Sequence, residues 1–167
     1  MKTITVISEG SRKFNSIVNG EVKGSLVYPK WYSSNPEIWL GKDGPYIFKA
    51  QNFWHTKYSL TKDDRPLFDM QSKWNSSTVI SPVKETHHQF VFRAKSMFSL
   101  CNTLVNYKGE ELLEIRSDYS WKKFTQGYAI TCADDFGSTE QEQLLILLSL
   151  HYFRVMQNAA ASVAAST

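Results

Sequence analysis

Through most of the chain, apolar and polar residues alternate in short runs, and turn signals separate the runs. Phe14–Val18 runs into Asn19-Gly20, a dipeptide suited to a hairpin because both turn positions need a positive φ. Ser25–Tyr28 is stopped by Pro29. Glu37–Leu40 and Tyr46–Lys49 flank Gly41–Pro45, and Trp54–Leu60 and Leu67–Trp74 flank Lys62–Pro66. Thr78–Ile80, Gln89–Lys95, Ser99–Asn106, Glu111–Arg116, Ser120–Thr125 and Tyr128–Cys132 follow. The spacing predicts about a dozen short strands within residues 1–133, nearly all joined as hairpins. Two stretches 45 residues apart, Leu67–Trp74 and Leu112–Ser117 with Trp121 beyond it, resemble copies of one hairpin unit. Asn19–Trp31 is a looser third copy.

The pattern changes at Leu144. Ten of the thirteen residues of LLILLSLHYFRVM (144–156) are apolar. At 100° per residue they leave no gap wider than about 60° around a helix axis. Ser149, His151 and Arg154 are scattered and form no polar stripe. Ser138 with Gln141 and Thr139 with Glu142 have capping-box spacing, and nearby acids suit a helix start. A helix over 138–157 is predicted, followed by an Ala/Ser tail at 158–167. A membrane span needs about 20 apolar residues, and this run is shorter and contains His151 and Arg154. An interfacial helix would be amphipathic, and no heptad supports a helical dimer.

A dozen antiparallel strands can stack or close, and a closed barrel that wide is not filled by its own side chains. Threading the apolar helix through it satisfies every face at once. The expected fold is therefore mainly β with one C-terminal α-helix: a single domain, 1–167, built as an antiparallel barrel of about twelve strands around a central hydrophobic helix. The alternative is a carrier whose barrel holds a small apolar ligand, with the helix outside as a lid.

This plan resembles the tubby C-terminal-like superfamily, with its LURP-one-related proteins and phospholipid scramblases. The residues that carry the likeness are the hairpins Asn19–Tyr28, Tyr46–Lys49, Leu67–Trp74 and Lys108–Ile115, then Tyr128–Ile130, Ala133–Phe136 and Leu144–Met156. The resemblance rests on pattern and order rather than on an invariant motif. It implies a barrel wrapped around its helix and a strand Lys and Arg that grip an inositol phosphate head group. Arg93-x-Lys95 is similar in type but reversed in order. The Pro-rich region and cysteine cluster of scramblases are missing, so lipid scrambling is not implied.

Composition adds limits. The 167 residues are 42% hydrophobic and 14% aromatic, with a net charge of +3. Residues 1–133 hold 18 Lys/Arg against 12 Asp/Glu, and residues 134–167 one against four. The basic excess belongs to the strands. It is too small to point to nucleic acid. Cys101 and Cys132 lie in apolar strand-like runs and read as two buried, reduced thiols. MKTITVIS lacks the long apolar core of a leader, so the expected location is the cytoplasm, with peripheral contact at a membrane allowed. The chain is expected to be a monomer with no transmembrane span.

No catalytic constellation can be assembled. His87-His88 point to opposite sides of a strand or sit in a turn, Asp63-Asp64 and Glu110-Glu111 fall in predicted turns, and no phosphate loop, dinucleotide fingerprint or nucleophile elbow is present. The expectation is a non-enzymatic protein without cofactor or metal. It binds an anionic phospholipid head group or a protein partner at its surface. Alternation along Phe90–Lys95 puts Arg93 and Lys95 on one face, and Lys122 and Lys123 could extend that basic face.

Overall fold

A computed structural model describes residues 1–96, 100–120 and 125–166. Twelve strands precede one helix. They are β1 (Lys2–Ser8), β2 (Lys13–Val18), β3 (Glu21–Val27), β4 (Glu37–Leu40), β5 (Asp43–Ala50) and β6 (Lys57–Lys62). Then come β7 (Arg65–Ser72), β8 (Thr78–Pro82), β9 (Phe90–Ala94), β10 (Cys101–Val105), β11 (Glu111–Ser120) and β12 (Thr125–Cys132). The helix, α1, spans Glu140–Ser166. Each strand pairs antiparallel with its neighbour in sequence, and β12 pairs with β1 to close the barrel. Six residue pairs, from Lys2↔Cys132 to Ile7↔Gly127, form that seam.

Alternation decides which side chains point in. Ile4 and Val6, Phe68 and Met70, Leu113 and Ile115, and Tyr128 and Ile130 are buried on the inner face. The outer face carries Asn15, Ser25, Lys49, Asp69 and Glu114. An apolar inside and a polar outside is the reverse of a lipid-facing barrel.

The helix occupies the interior. Ten consecutive residues, Leu144–Phe153, are buried, so no face of this stretch is left to solvent. Side chains around the whole circumference meet it. Gly24 of β3 faces Leu147, Phe48 of β5 packs on His151, Asn102 of β10 reaches Met156, and Tyr128 of β12 packs edge-on against Phe153. Each large apolar side chain so buried contributes about 1.5–3 kcal/mol. The cavity lined by Ile4, Gly24 and Leu147 has a volume of about 30 Å³, enough for a water or two.

Thr139 caps the helix. Its Oγ1 accepts a hydrogen bond from the Glu142 N–H at 3.2 Å, and its own N–H donates to Glu142 Oε1 at 3.2 Å. The Ser138 hydroxyl also donates to Glu142 rather than forming a box with Gln141. The helix continues past Gln157 to Ser166, so the segment expected as a tail is helical, with exposed side chains at 158–162. Alanine has the highest helix propensity of any residue, which carries the helix on without a core to pack against.

Two strand boundaries differ from the pattern reading. Lys2–Ser8 is a strand, paired on both sides. Of the expected strand Ser120–Thr125, Ser120 ends β11, Thr125 begins β12 and the two pair with each other; residues 121–124 lie outside the described residues. The repeated stretches fall on β7 and β11, equivalent staves of one closed wall, and form no separate units.

Candidate functional site

Because every hairpin reverses the chain, alternate connections share an end of the barrel. The connections β1–β2, β3–β4, β5–β6, β7–β8 and β9–β10 lie at one end, and the turns after β2, β4, β6, β8, β10 and β12 at the other. The two ends differ sharply. Residues 28–36, 51–56 and 73–77, at the first end, contain Lys30 and Lys73 and no Asp or Glu. The turns at the other end hold six acids, Asp63, Asp64, Glu85, Glu110, Asp134 and Asp135, against three lysines, Lys42, Lys84 and Lys108.

Large apolar side chains follow the same division. Trp31, Phe53, Trp54 and Trp74 stand in the three acid-free connections and are 78–97% exposed, with Tyr32 and Leu100 beside them. Trp31 and Tyr32 meet edge-on, as do Phe53 and Trp54, with ring centroids 5.8 and 5.5 Å apart. Lys30 Nζ lies 5.8 Å from the Tyr32 ring. Glu9 in the neighbouring β1–β2 connection is neutralised by Lys13 at 3.3 Å. Among the described residues, the opposite end exposes Met1, Val22 and Tyr107 and no tryptophan. Soluble surfaces rarely concentrate exposed aromatics in this way unless they bind something.

The helix runs toward the aromatic end, and its last buried turn carries polar groups. His151 Nδ1 shares a hydrogen bond with Tyr28 Oη at 2.9 Å. Burial in the apolar interior, with Arg154 nearby, depresses the His151 pKa to about 3, so the ring is neutral. Burial likewise pushes Tyr28 up to about 12. The Arg154 guanidinium lies 4.0 Å from the Phe14 ring centroid and 4.8 Å from that of Tyr28, and its Nε donates to Tyr128 Oη at 3.2 Å. Phe14, Tyr28 and Tyr128 thus hold the arginine where helix and barrel mouth meet.

The basic face expected from the strand pattern lies elsewhere. Arg93 and Lys95 are exposed, and Phe92, just before Arg93, is buried. Lys95, however, lies along the outer wall between two carboxylates, 2.6 Å from Glu114 and 3.5 Å from Glu111. Those acids stand two strands away, and their charges offset much of the positive patch. Lys122 and Lys123 lie outside the described residues. His87 and His88 sit between β8 and β9. His88 is 2.9 Å from Glu85 and stacked on Tyr107 at 4.4 Å. Among the described residues, no group of His, Cys, Asp and Glu is placed to hold a metal ion. No described helix is long and apolar enough to cross a membrane.

Comparison with protein-family models, with curated proteins and with solved structures finds no match for this chain.

Proposed function

We propose that this protein is a non-enzymatic barrel that docks its aromatic end on an anionic phospholipid surface. The observation that carries the reading is the placement of exposed Trp31, Phe53, Trp54 and Trp74 in acid-free connections, two of them lysine-bearing, at one end of the barrel. Tryptophan and tyrosine favour the zone between lipid head groups and acyl chains. Each lysine or arginine near an anionic surface adds roughly 1 kcal/mol. The acid-rich opposite end would be repelled by the same surface, which sets the orientation. Membership of the tubby C-terminal-like superfamily belongs to the same proposal, and its support is the twelve-strand barrel closed around one helix.

The test is co-sedimentation with vesicles of phosphatidylcholine alone or mixed with phosphatidylserine. Wild type should bind the mixed vesicles at low salt and shift its tryptophan emission to the blue. The Trp31→Ser/Phe53→Ser/Trp54→Ser/Trp74→Ser variant should melt as wild type does and stay in the supernatant. Wild type that ignores anionic vesicles at low salt would overturn the reading.

A further inference from the structure

On the outer wall, beside the connections that carry Trp54 and Trp74, a groove of about 510 Å³ lies along β6, β7 and β8. Strand register sets its lining. Leu60, Phe68, Met70 and Ile80 are buried on the inner face, so Ser59, Asp69, Gln71 and Ser81 face outward. Lys57 pairs with Gln71, and Asp69 pairs with both Ser59 and Ser81, giving two outward rows about 7 Å apart. Gln51, whose N–H donates to the Lys57 carbonyl at 2.8 Å, lines the side toward β5, and Gln89 the side toward β9. Three of the lining side chains are thus amides that both donate and accept, and Ser81 adds a hydroxyl. The hydroxyl of buried Ser59 donates to Asp69 Oδ1 at 2.7 Å and fixes that carboxylate, whose other oxygen is left to accept. The charges in the groove are those of Lys57, Lys73 and Asp69.

The two connections beside the groove are tied down by their own side chains. Asn52 Oδ1 accepts the Thr56 N–H at 3.0 Å and the Lys57 N–H at 3.2 Å, and its Nδ2 donates to Thr56 Oγ1 at 2.7 Å. Asn75 Oδ1 accepts the Ser77 N–H at 3.2 Å and the Ser77 hydroxyl at 2.7 Å. The Ser72 N–H donates to the Thr56 carbonyl at 2.9 Å, which joins one connection to the other. His55 and Ser76 hold φ values of 55° and 68°, a region that a non-glycine residue occupies only where its surroundings impose it. The His55 ring lies 6.3 Å from that of Tyr58 in the groove wall. Exposed rings on loops fixed in this way lose little conformational freedom when a ligand lies against them.

An anion in the groove would meet Asp69, and a cation would meet Lys57 and Lys73. A peptide strand adds to a free sheet edge, and the closed wall has none. A neutral polyhydroxyl chain satisfies both constraints. Each sugar hydroxyl donates and accepts, as side-chain amides do, and the C–H face of a sugar ring packs on tryptophan. We infer that the groove is a saccharide-binding site. Gln51, Gln71, Gln89 and Asp69 bond the hydroxyls of a neutral oligosaccharide, and Trp54 and Trp74 stack on the sugars that reach the barrel's end. The lining lies on the side of the barrel, so the site does not rest on the docking reading.

Calorimetric titration tests the site with four neutral oligosaccharides, built of α-linked glucose, β-linked glucose, xylose and N-acetylglucosamine. A heparin oligosaccharide serves as the charged control. At least one neutral probe should bind, with an affinity that changes little with salt. Gln71→Ala/Gln89→Ala should weaken that binding about tenfold or more, the loss of two neutral hydrogen bonds. Trp54→Ser/Trp74→Ser should weaken it as well. The amide variant should melt as wild type does and treat vesicles as wild type does, because its two residues lie away from the barrel's end. No binding of any neutral probe at millimolar concentration, or binding confined to heparin and abolished by salt, would overturn the saccharide site. Neutral-probe binding that survives either pair of substitutions would overturn it too. Neither result would alter vesicle binding, so the two readings fail separately.

Discussion

Gly24 of β3 and Leu147 of the helix touch so closely that a Cβ added at Gly24 would lie 2.8 Å from Leu147 Cδ1. The same methyl would also sit 3.2 Å from the Trp39 carbonyl oxygen and 3.3 Å from Leu40, so the wall cannot yield freely. Gly24→Ala should cost about 1–3 kcal/mol by overpacking, and Leu147→Ala about 2–5 kcal/mol by cavity formation. In the double variant the new methyl enters the space that the leucine vacates, so its loss should fall below the sum of the two. Denaturant unfolding of the four proteins checks this, and strict additivity would place Leu147 away from β3.

Ending the chain at Gly137 removes the helix and should prevent cooperative folding, because the wall alone encloses an unfilled space. Ending it at Gln157 removes only a segment whose described side chains are exposed, and should change stability by less than about 1 kcal/mol. Thermal unfolding separates the two cases.

Ser149 Oγ is buried in the middle of the helix and has no hydrogen-bond partner among the described residues. Ser149→Ala removes that unmet polar group without opening a sizeable cavity. It should stabilise the protein by about 1–3 kcal/mol, read as a higher denaturant midpoint.

His151 makes stability depend on pH with a defined sign. In the unfolded chain it takes up a proton near pH 6.5, and in the folded protein only near pH 3. Below pH 6.5 the unfolded state binds more protons, so stability should be level at higher pH and fall as pH drops toward 3. The slope approaches about 1.4 kcal/mol per pH unit. His151→Gln should flatten that slope, as measured by denaturant midpoints across the acidic range.

The two thiols should separate by reactivity. Cys132 is 3% exposed, and burial raises its pKa, which disfavours the thiolate. Cys101 is half-buried on the outer wall, where its thiol hydrogen-bonds Glu114. A thiol reagent on the native protein should label Cys101 first and Cys132 only as the protein unfolds; mass spectrometry of the labelled peptides reports the order.

The central helix was legible in the sequence because its missing polar stripe is a local property of 144–156. Hairpin alternation was legible for the same reason. Lys2–Ser8 was less legible, because its strand character rests on pairing with β12 and β2 at its two edges, and Ser120 and Thr125 belong to β11 and β12 rather than to one strand of their own. Lys95 could not be judged from its own segment, since Glu111 and Glu114 reach it from β11 with β10 between. Phe14, Tyr28 and Tyr128, which hold Arg154, come from three distant segments, and no spacing rule links them. A signal for the aromatic end was nonetheless present. In an up-and-down wall the parity of each connection fixes its end, and Trp31, Trp54 and Trp74 all fall on connections of the same parity.

The seam between β1 and β12 sets an order of events for a chain emerging from synthesis. The first strand has its second neighbour only after residue 125, and the helix that fills the space between them follows later still. At about 5–20 residues per second, β1 waits on the order of ten seconds for those partners. Throughout that interval the growing wall has two open edges and a bare apolar inner face, the features that invite pairing with other chains. Closure is therefore a late, nearly all-or-none step that depends on the helix arriving before the edges find another strand.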